Sequence, residues 1–443
     1  MKILPTCCQL GLAGMVVSLL LLASGAVVAQ QPSPPQPSAP APQQPSPAQS
    51  GAATPQPLPS PTTSSVLADR PNTEEAQKLA PVAPPPIATA ADKLPVDKLK
   101  VPRGFKLEVY ANGMVNARSL ARGDKGTVFV STRLLDRIYA VTEKNGQREV
   151  KPLFSGTLYR PNGIAFKDST LYIAELNKIS KVEHIEDNLD NPPKPVVIYS
   201  DLPSDEPHGW KYLTIGPDNK LYFQVGAPCN ICMPPPTNAQ IRRINMDGSG
   251  AEVIARGIRQ IVGMDFHPVS KVLYFTENQR DWMSEDTPED KINRLLHPGK
   301  DFFGFPYCHQ GNLADPQFGW GHDCLKEVTQ PIALIGAHTA PLGARFYTGH
   351  MFPSEYHNVL FVARHGSWNK TQKIGGDIIA VHLKPDGTVK SWEPFLTGFL
   401  VDNKYIGRPV DMLQMPDGSM LISDDWNGAV YRLSYGGPKV SSR

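Results

Sequence analysis

One histidine and a scatter of arginines carry most of the chemistry legible in this chain. His208 stands in Glu206-Pro207-His208-Gly209-Trp210, just ahead of the apolar run Tyr212-Leu213-Thr214-Ile215. Catalytic side chains concentrate on loops that meet a rigid strand, and imidazole is the group best able to move a proton near neutral pH. A lone histidine of this kind is more often a hydrogen-bonded structural residue. Its weight here comes from its company. Arg133, Arg160, Arg259, Arg280, Arg364, His365 and Arg408 each sit where an apolar run ends or in the loop leading into one. Guanidinium groups pair bidentately with carboxylates and keep their charge when buried. Several facing one space would repel each other unless an anion sat among them, so the pattern asks for a polyanionic ligand.

A second cluster is acidic. The stretch from Glu277 to Asp290 is rich in oxygen donors, which suits a hard cation such as Ca²⁺, although it lacks EF-hand spacing. Beyond the first residues four cysteines remain, and an even number in an exported chain predicts the disulfides Cys229–Cys232 and Cys308–Cys324, with a structural zinc site as the alternative. Met233 rather than His follows Cys232, so covalent haem attachment is excluded. No G-x-G-x-x-G, P-loop or G-x-S-x-G motif occurs, which argues against nicotinamide, nucleotide and serine-hydrolase chemistry.

The elements that must position these residues repeat. Leu120–Val130, Ile164–Ala174, Leu213–Phe223, Met264–Phe275 and Met412–Ile422 each read as apolar strand, tight polar turn, apolar strand, and Asn358–Ala363 supplies the second strand of a weaker copy. Turns such as Pro217-Asp218-Asn219 and Pro416-Asp417-Gly418 are hairpin signals. Early copies recur at roughly 45 to 50 residues, the period of four-stranded propeller blades. Six copies predict an all-β, six-bladed β-propeller over 99–436, with a β-sandwich or a seven-bladed ring as alternatives because of the long insert from Asp281 to Gly336. In a propeller, loops at equivalent positions of different blades gather around one channel, so residues far apart in sequence can share a pocket.

Upstream of the propeller, Lys2, the apolar run Leu10–Val28 and the small residues up to Ala29 predict a secretory signal peptide over 1–29, with an uncleaved anchor as the alternative. Residues 30–98 are dominated by Pro, Ala, Gln and Ser and predict a disordered, partly polyproline linker. A tail follows at 437–443. The formal net charge of +2, without a basic stripe, argues against nucleic acid as a partner. The expected location is periplasmic or secreted, with no stable membrane span after cleavage.

Five separated motifs, in order, resemble the sorbosone dehydrogenase and soluble glucose dehydrogenase group of quinoprotein sugar dehydrogenases. They are His208-Gly209-Trp210 with Val225–Cys232; Ala255–Gln260; Gly336–Gly343; Ala363–Trp368; and Gly407–Asp411. The resemblance spans Val101 to Tyr435 and implies a six-bladed propeller holding pyrroloquinoline quinone (PQQ) and Ca²⁺ at the channel mouth. It implies His208 as general base, Arg259 as the group stabilising charge on the quinone oxygen, and Arg364 and Arg408 as clamps on cofactor carboxylates. Backbone carbonyls of Gln279 and Arg280 match the loop that holds Ca²⁺. Departures are Gln260 for Asn, Arg364 for Lys, Lys291 for an acidic residue, and Pro161 for a cofactor-contacting Gln whose place Arg160 or Asn162 would take; His338 lies where a residue near the quinone face is expected. The implied reaction oxidises an aldose or a sugar aldehyde such as sorbosone to lactone or acid and passes electrons to an external acceptor such as a quinone or cytochrome. A Ca²⁺-dependent propeller lactonase and a non-catalytic binding propeller are the competing readings.

Overall fold

The computed structural model describes residue 67 and residues 69–205 and 207–437. The expected signal peptide, the start of the linker, Glu206 and residues 438–443 lie outside the described residues. The described chain forms six four-stranded antiparallel sheets and two short two-stranded ribbons. Strands form where the sequence alternates β-branched and aromatic residues between turns. Each repeated hairpin pairs as its pattern requires: Leu120 opposes Val130, Ile164 opposes Ile173, Leu213 opposes Phe223, Met264 opposes Phe275 and Met412 opposes Ile422.

Four blades are built from consecutive strands, the fourth blade takes its strands in chain order with an interruption, and the sixth joins the two ends of the propeller. Its three inner strands are Pro409–Gln414, Met420–Asp424 and Ala429–Tyr435, while its outer strand is Phe105–Asn112 from the start of the propeller. Phe105 faces Tyr435 and Asn112 faces Ala429 across that seam. The Phe105 ring packs edge-on against Phe352, Tyr356, Phe395 and Tyr435 with centroids 4.8 to 5.4 Å apart. Pairing the two ends of the ring removes sheet edges that would otherwise be open to other chains.

The insert after Asp281 is part of blade four rather than a seventh blade. It supplies Glu289–Leu295 as third strand and, after an excursion carrying the Cys308–Cys324 bridge, Ala333–Ala337 as fourth. Both cysteine pairs are bonded, Cys229–Cys232 with Cα atoms 6.1 Å apart and Cys308–Cys324 with 5.7 Å. The core lies between neighbouring blades, as where Phe361, Ala363 and Ile378 of the fifth meet Met412, Ile422 and Tyr431 of the sixth.

The linker departs from its expected freedom. Over its described part Leu94 is buried in the core cluster, and Thr89 is hydrogen-bonded to Asn427. A composition too poor to build its own core can still dock onto one that exists. No helix among the described residues is long and apolar enough to cross a membrane.

Candidate active site

The blade-connecting loops enclose a cavity of about 470 Å³ that His208 lines, within the size range of small-molecule sites. His208 sits just ahead of blade three's inner strand, Leu213–Ile215. The loop is held by Lys211, fully buried, whose ammonium donates to the carbonyls of Leu176 at 2.7 Å, Gly209 at 2.5 Å and Pro203. Three carbonyls satisfy its three donors. The Nδ1 of His208 is 2.8 Å from the carbonyl oxygen of Ala227. A carbonyl only accepts, so Nδ1 carries the proton and the neutral ring presents Nε2 as a base. Burial, then the nearby charge of Arg259, hold the imidazole pKa well below 6.5. Gly226 makes this approach possible, since a Cβ there would come within 2.3 Å of Gln260 Oε1 and 2.5 Å of the His208 carbonyl.

Four arginines line the same cavity: Arg118, Arg133, Arg259 and Arg408. Two have carboxylate partners. Arg118 donates to Asp425 at 2.9 Å, and Asp425 also meets His365 Nε2 at 2.8 Å. Arg259 donates to Asp281 at 2.7 Å and to the backbone and side chain of Asn230 at 2.9 and 3.0 Å. Arg408 instead donates to the carbonyls of His365 at 3.1 Å and Gly366 at 2.6 Å and lies 4.9 Å from the centre of the Tyr405 ring. Arg133 lies 4.5 Å from the centre of the Trp210 ring, and its Nε is buried without a hydrogen-bond partner among the described residues. Burial, with Arg118 the strongest of the neighbouring cations, draws the Arg133 pKa down to about 9. Gln260 Oε1 is likewise buried with no partner. Buried polar groups are normally satisfied, so the cavity is built for something that supplies negative charge and a donor.

A chain of bonds ties the arginine beside His208 to the opposite wall. Asp281, paired to Arg259, accepts from Asn369 Nδ2 at 2.7 Å, and the same nitrogen lies 3.1 Å from His338 Nδ1. His338 Nε2 donates to the Ser284 carbonyl at 2.7 Å. Both ring nitrogens are therefore engaged, and His338 serves as wall rather than base. Asp290 accepts from the amides of Gln279 and Ala340 and the hydroxyl of Thr339, while burial pushes its pKa up to about 6.

The structure thus brings together His208, Arg259, Gln260, Gln279, His338 and Arg408, along with Arg133 and His365. Three sequence candidates do not line the cavity. Arg364 is bidentate to its cross-strand neighbour Asp377, with Nε–Oδ1 at 2.8 Å, and also donates to Ile335. Arg280 points its guanidinium at buried Asp315, which His309 also contacts at 2.7 Å. Arg160 is buried with left-handed backbone, φ 51°. Asn162 stands behind Arg118, 3.3 Å from its Nε. The acids after Glu277 are spent on internal partners, Glu277 on Lys291 at 3.3 Å and Asp286 on Lys370 at 2.8 Å, and no three His, Cys, Asp or Glu side chains among the described residues are grouped to hold a metal. Residues the sequence did not single out include Arg118, near the start of the strand Ala117–Arg122, and Asn369, whose only signal was proximity to the Ala363–Trp368 motif.

Comparison with known proteins agrees with this fold. The TrAA12-like family matches residues 99–435. An uncharacterized protein of Borreliella burgdorferi is 34% identical over 364 residues, 79% of this chain and 94% of its own. A pyrroloquinoline quinone-dependent pyranose dehydrogenase of Coprinopsis cinerea is 24% identical over 281 residues, 48% of this chain but only 37% of that protein. Among solved structures, the holo PQQ domain of the Coprinopsis cinerea pyranose dehydrogenase superposes with a TM-score of 0.64 at 20% identity, covering 76% of this chain and 97% of that one. The PQQ-bound aldose sugar dehydrogenase of Streptomyces coelicolor gives 0.54 at 18% identity, over 76% and 99%. At such identities these two share the fold.

Proposed function

Starting from the fact that the chain belongs to the TrAA12-like family, whose relatives are PQQ-dependent sugar dehydrogenases, we propose that it oxidises an aldose or sugar aldehyde, sorbosone-like, to the lactone or acid. The observation that carries this is the surplus of cations around one neutral base: Arg133 and Arg408 line the His208 cavity with no carboxylate among the described residues paired to either. PQQ, a tricarboxylate, fits that surplus. When bound it supplies a two-electron sink for the substrate's hydride. Arg133 and Arg408 would hold its carboxylates, and Gln260 would offer Oε1 to a donor. Arg160 and Arg364 do not line the cavity. His208 Nε2 takes the hydroxyl proton of the substrate, and Arg259, fixed by Asp281 and Asn230, stabilises negative charge that grows beside it. Electrons then leave to an external acceptor such as a quinone or cytochrome.

Calcium would rest on the backbone carbonyls of Gln279 and Arg280, which accept no hydrogen bond among the described residues, and on oxygens of the cofactor itself. A lactonase would need an acidic cage that these residues do not form. Two disulfides favour a periplasmic or secreted location, which accords with a signal peptide over 1–29 ahead of a linker and a propeller over 99–436. The test is reconstitution of apo-protein with PQQ and Ca²⁺. Sugar-dependent dye reduction is the expected result. Absence of both activity and a change in quinone absorbance would refute it.

A further inference from the structure

The His208 cavity has one wall that the propeller does not supply. Ala80, Pro81, Val82, Ala83 and Pro84 line it alongside the catalytic side chains. The segment is anchored at its far end, where the Thr89 amide donates to the Asn427 carbonyl at 2.9 Å and its hydroxyl to Asn427 Oδ1 at 2.8 Å. Ala88 sits so close to Gly428 that a Cβ on that glycine would lie 2.8 Å from its own. At the near end Arg70 bonds to Leu79 and Gln77, closing a turn of the segment on itself rather than on the propeller. Between these ends, residues 80–88 make no hydrogen bond to the propeller among the described residues. Pro81, Pro84, Pro85 and Pro86 have no N–H and fix φ, so the stretch is stiff without needing such bonds.

We propose that this strap is a specificity element, the apolar outer wall of the substrate site that sets how large a sugar reaches His208. This role rests on the dehydrogenase reading above. The propeller provides every charged side chain in the cavity, while the side chains of the strap provide only alkyl and pyrrolidine surface. Such side chains pack against the C–H face of a sugar ring and present no polar side-chain group to the hydroxyls of a second one. Because the strap is stiff, a longer saccharide can extend past it only by displacing it from the mouth. Single-ring sugars are therefore favoured over longer ones.

The experiment uses the full chain with residues 80–84 made flexible (Ala80→Gly, Pro81→Ser, Val82→Gly, Ala83→Ser, Pro84→Gly), and Thr89→Val as a milder variant that frees the anchor. Shielding is read without cofactor, as the rate at which a thiol reagent modifies Leu134→Cys in a Cys7→Ser, Cys8→Ser background, since half-buried Leu134 lines the cavity. Selection is read as the kcat/KM ratio for a disaccharide over its monosaccharide. Both should rise about tenfold with the flexible strap, as for a cover open about a tenth of the time, and less with Thr89→Val. Unchanged labelling overturns the wall. Faster labelling with an unchanged sugar ratio overturns its role in selection. A parent chain that oxidises no sugar overturns the dehydrogenase reading and the selection role with it, while labelling still decides whether the strap shields the cavity.

Discussion

Arg133→Met separates a cation kept for a ligand from one kept for the fold. Methionine retains the stem that packs on Trp210 and removes the charge. In the apo-protein that charge is a liability, because burial and the facing arginines lower its pKa from the ordinary guanidinium value to about 9. The difference sets a ceiling of about 5 kcal/mol on the cost. The side chain is only half-buried, and solvent screening returns most of that, leaving about 1 to 2 kcal/mol. Arg133→Met apo-protein should thus melt about 1 to 3 °C higher than the parent by calorimetry. Its PQQ dissociation constant, titrated by quinone absorbance, should weaken about 10- to 100-fold for loss of a charge-assisted hydrogen bond. Arg364→Met is the contrast: it strands Asp377, so it should destabilise by about 3 kcal/mol. A lower melting temperature for Arg133→Met, or unaltered PQQ affinity, would refute the reasoning.

Further outcomes are measurable. His208→Ala should lower kcat by about 10²- to 10⁴-fold and leave PQQ binding intact; loss of binding would make the residue structural. A base whose pKa is depressed in the fold stays unprotonated as pH falls past 6.5, so the acid limb of kcat/KM must lie below 6.5, and a limb at or above that value contradicts the burial argument. Chelator should abolish dye reduction and added Ca²⁺ restore it, whereas full activity in chelator would remove calcium from the proposal. Phe105→Ala should cost about 3 kcal/mol, near the low end for a large aromatic because the ring is half-buried, seen as an earlier urea midpoint; a change under about 0.5 kcal/mol would mean the seam is held by backbone pairing alone.

What could be read beforehand follows from what each signal encodes. Hairpins with Pro-Asp-Asn and Pro-Asp-Gly turns specify register locally, and register fixes a blade, so the propeller and the gathering of His208, Arg259 and Arg408 were legible. A loop position fixes a backbone, however, not the direction of a long side chain. Arg364 turns to Asp377 because the two are direct cross-strand partners, a pairing that counting along the hairpin could have found. Arg280 turns to Asp315 within an excursion that repeats nothing, so no pattern foretold it. The strap was missed because composition reports whether a segment can build a core, not whether it leans on another.

The seam in the sixth blade has a consequence for how the molecule comes into being. Its outer strand is made first among the blade strands and its partner, Ala429–Tyr435, last. A chain emerging amino end first, from a ribosome or through an export channel, remains an open arc until the final strand appears. Arg408 enters the pocket only with that same late segment. The arginine lining of the pocket is thereby completed only after the last blade is made, and a nascent protein truncated a few dozen residues early can neither shut its circle nor supply Arg408 to the pocket.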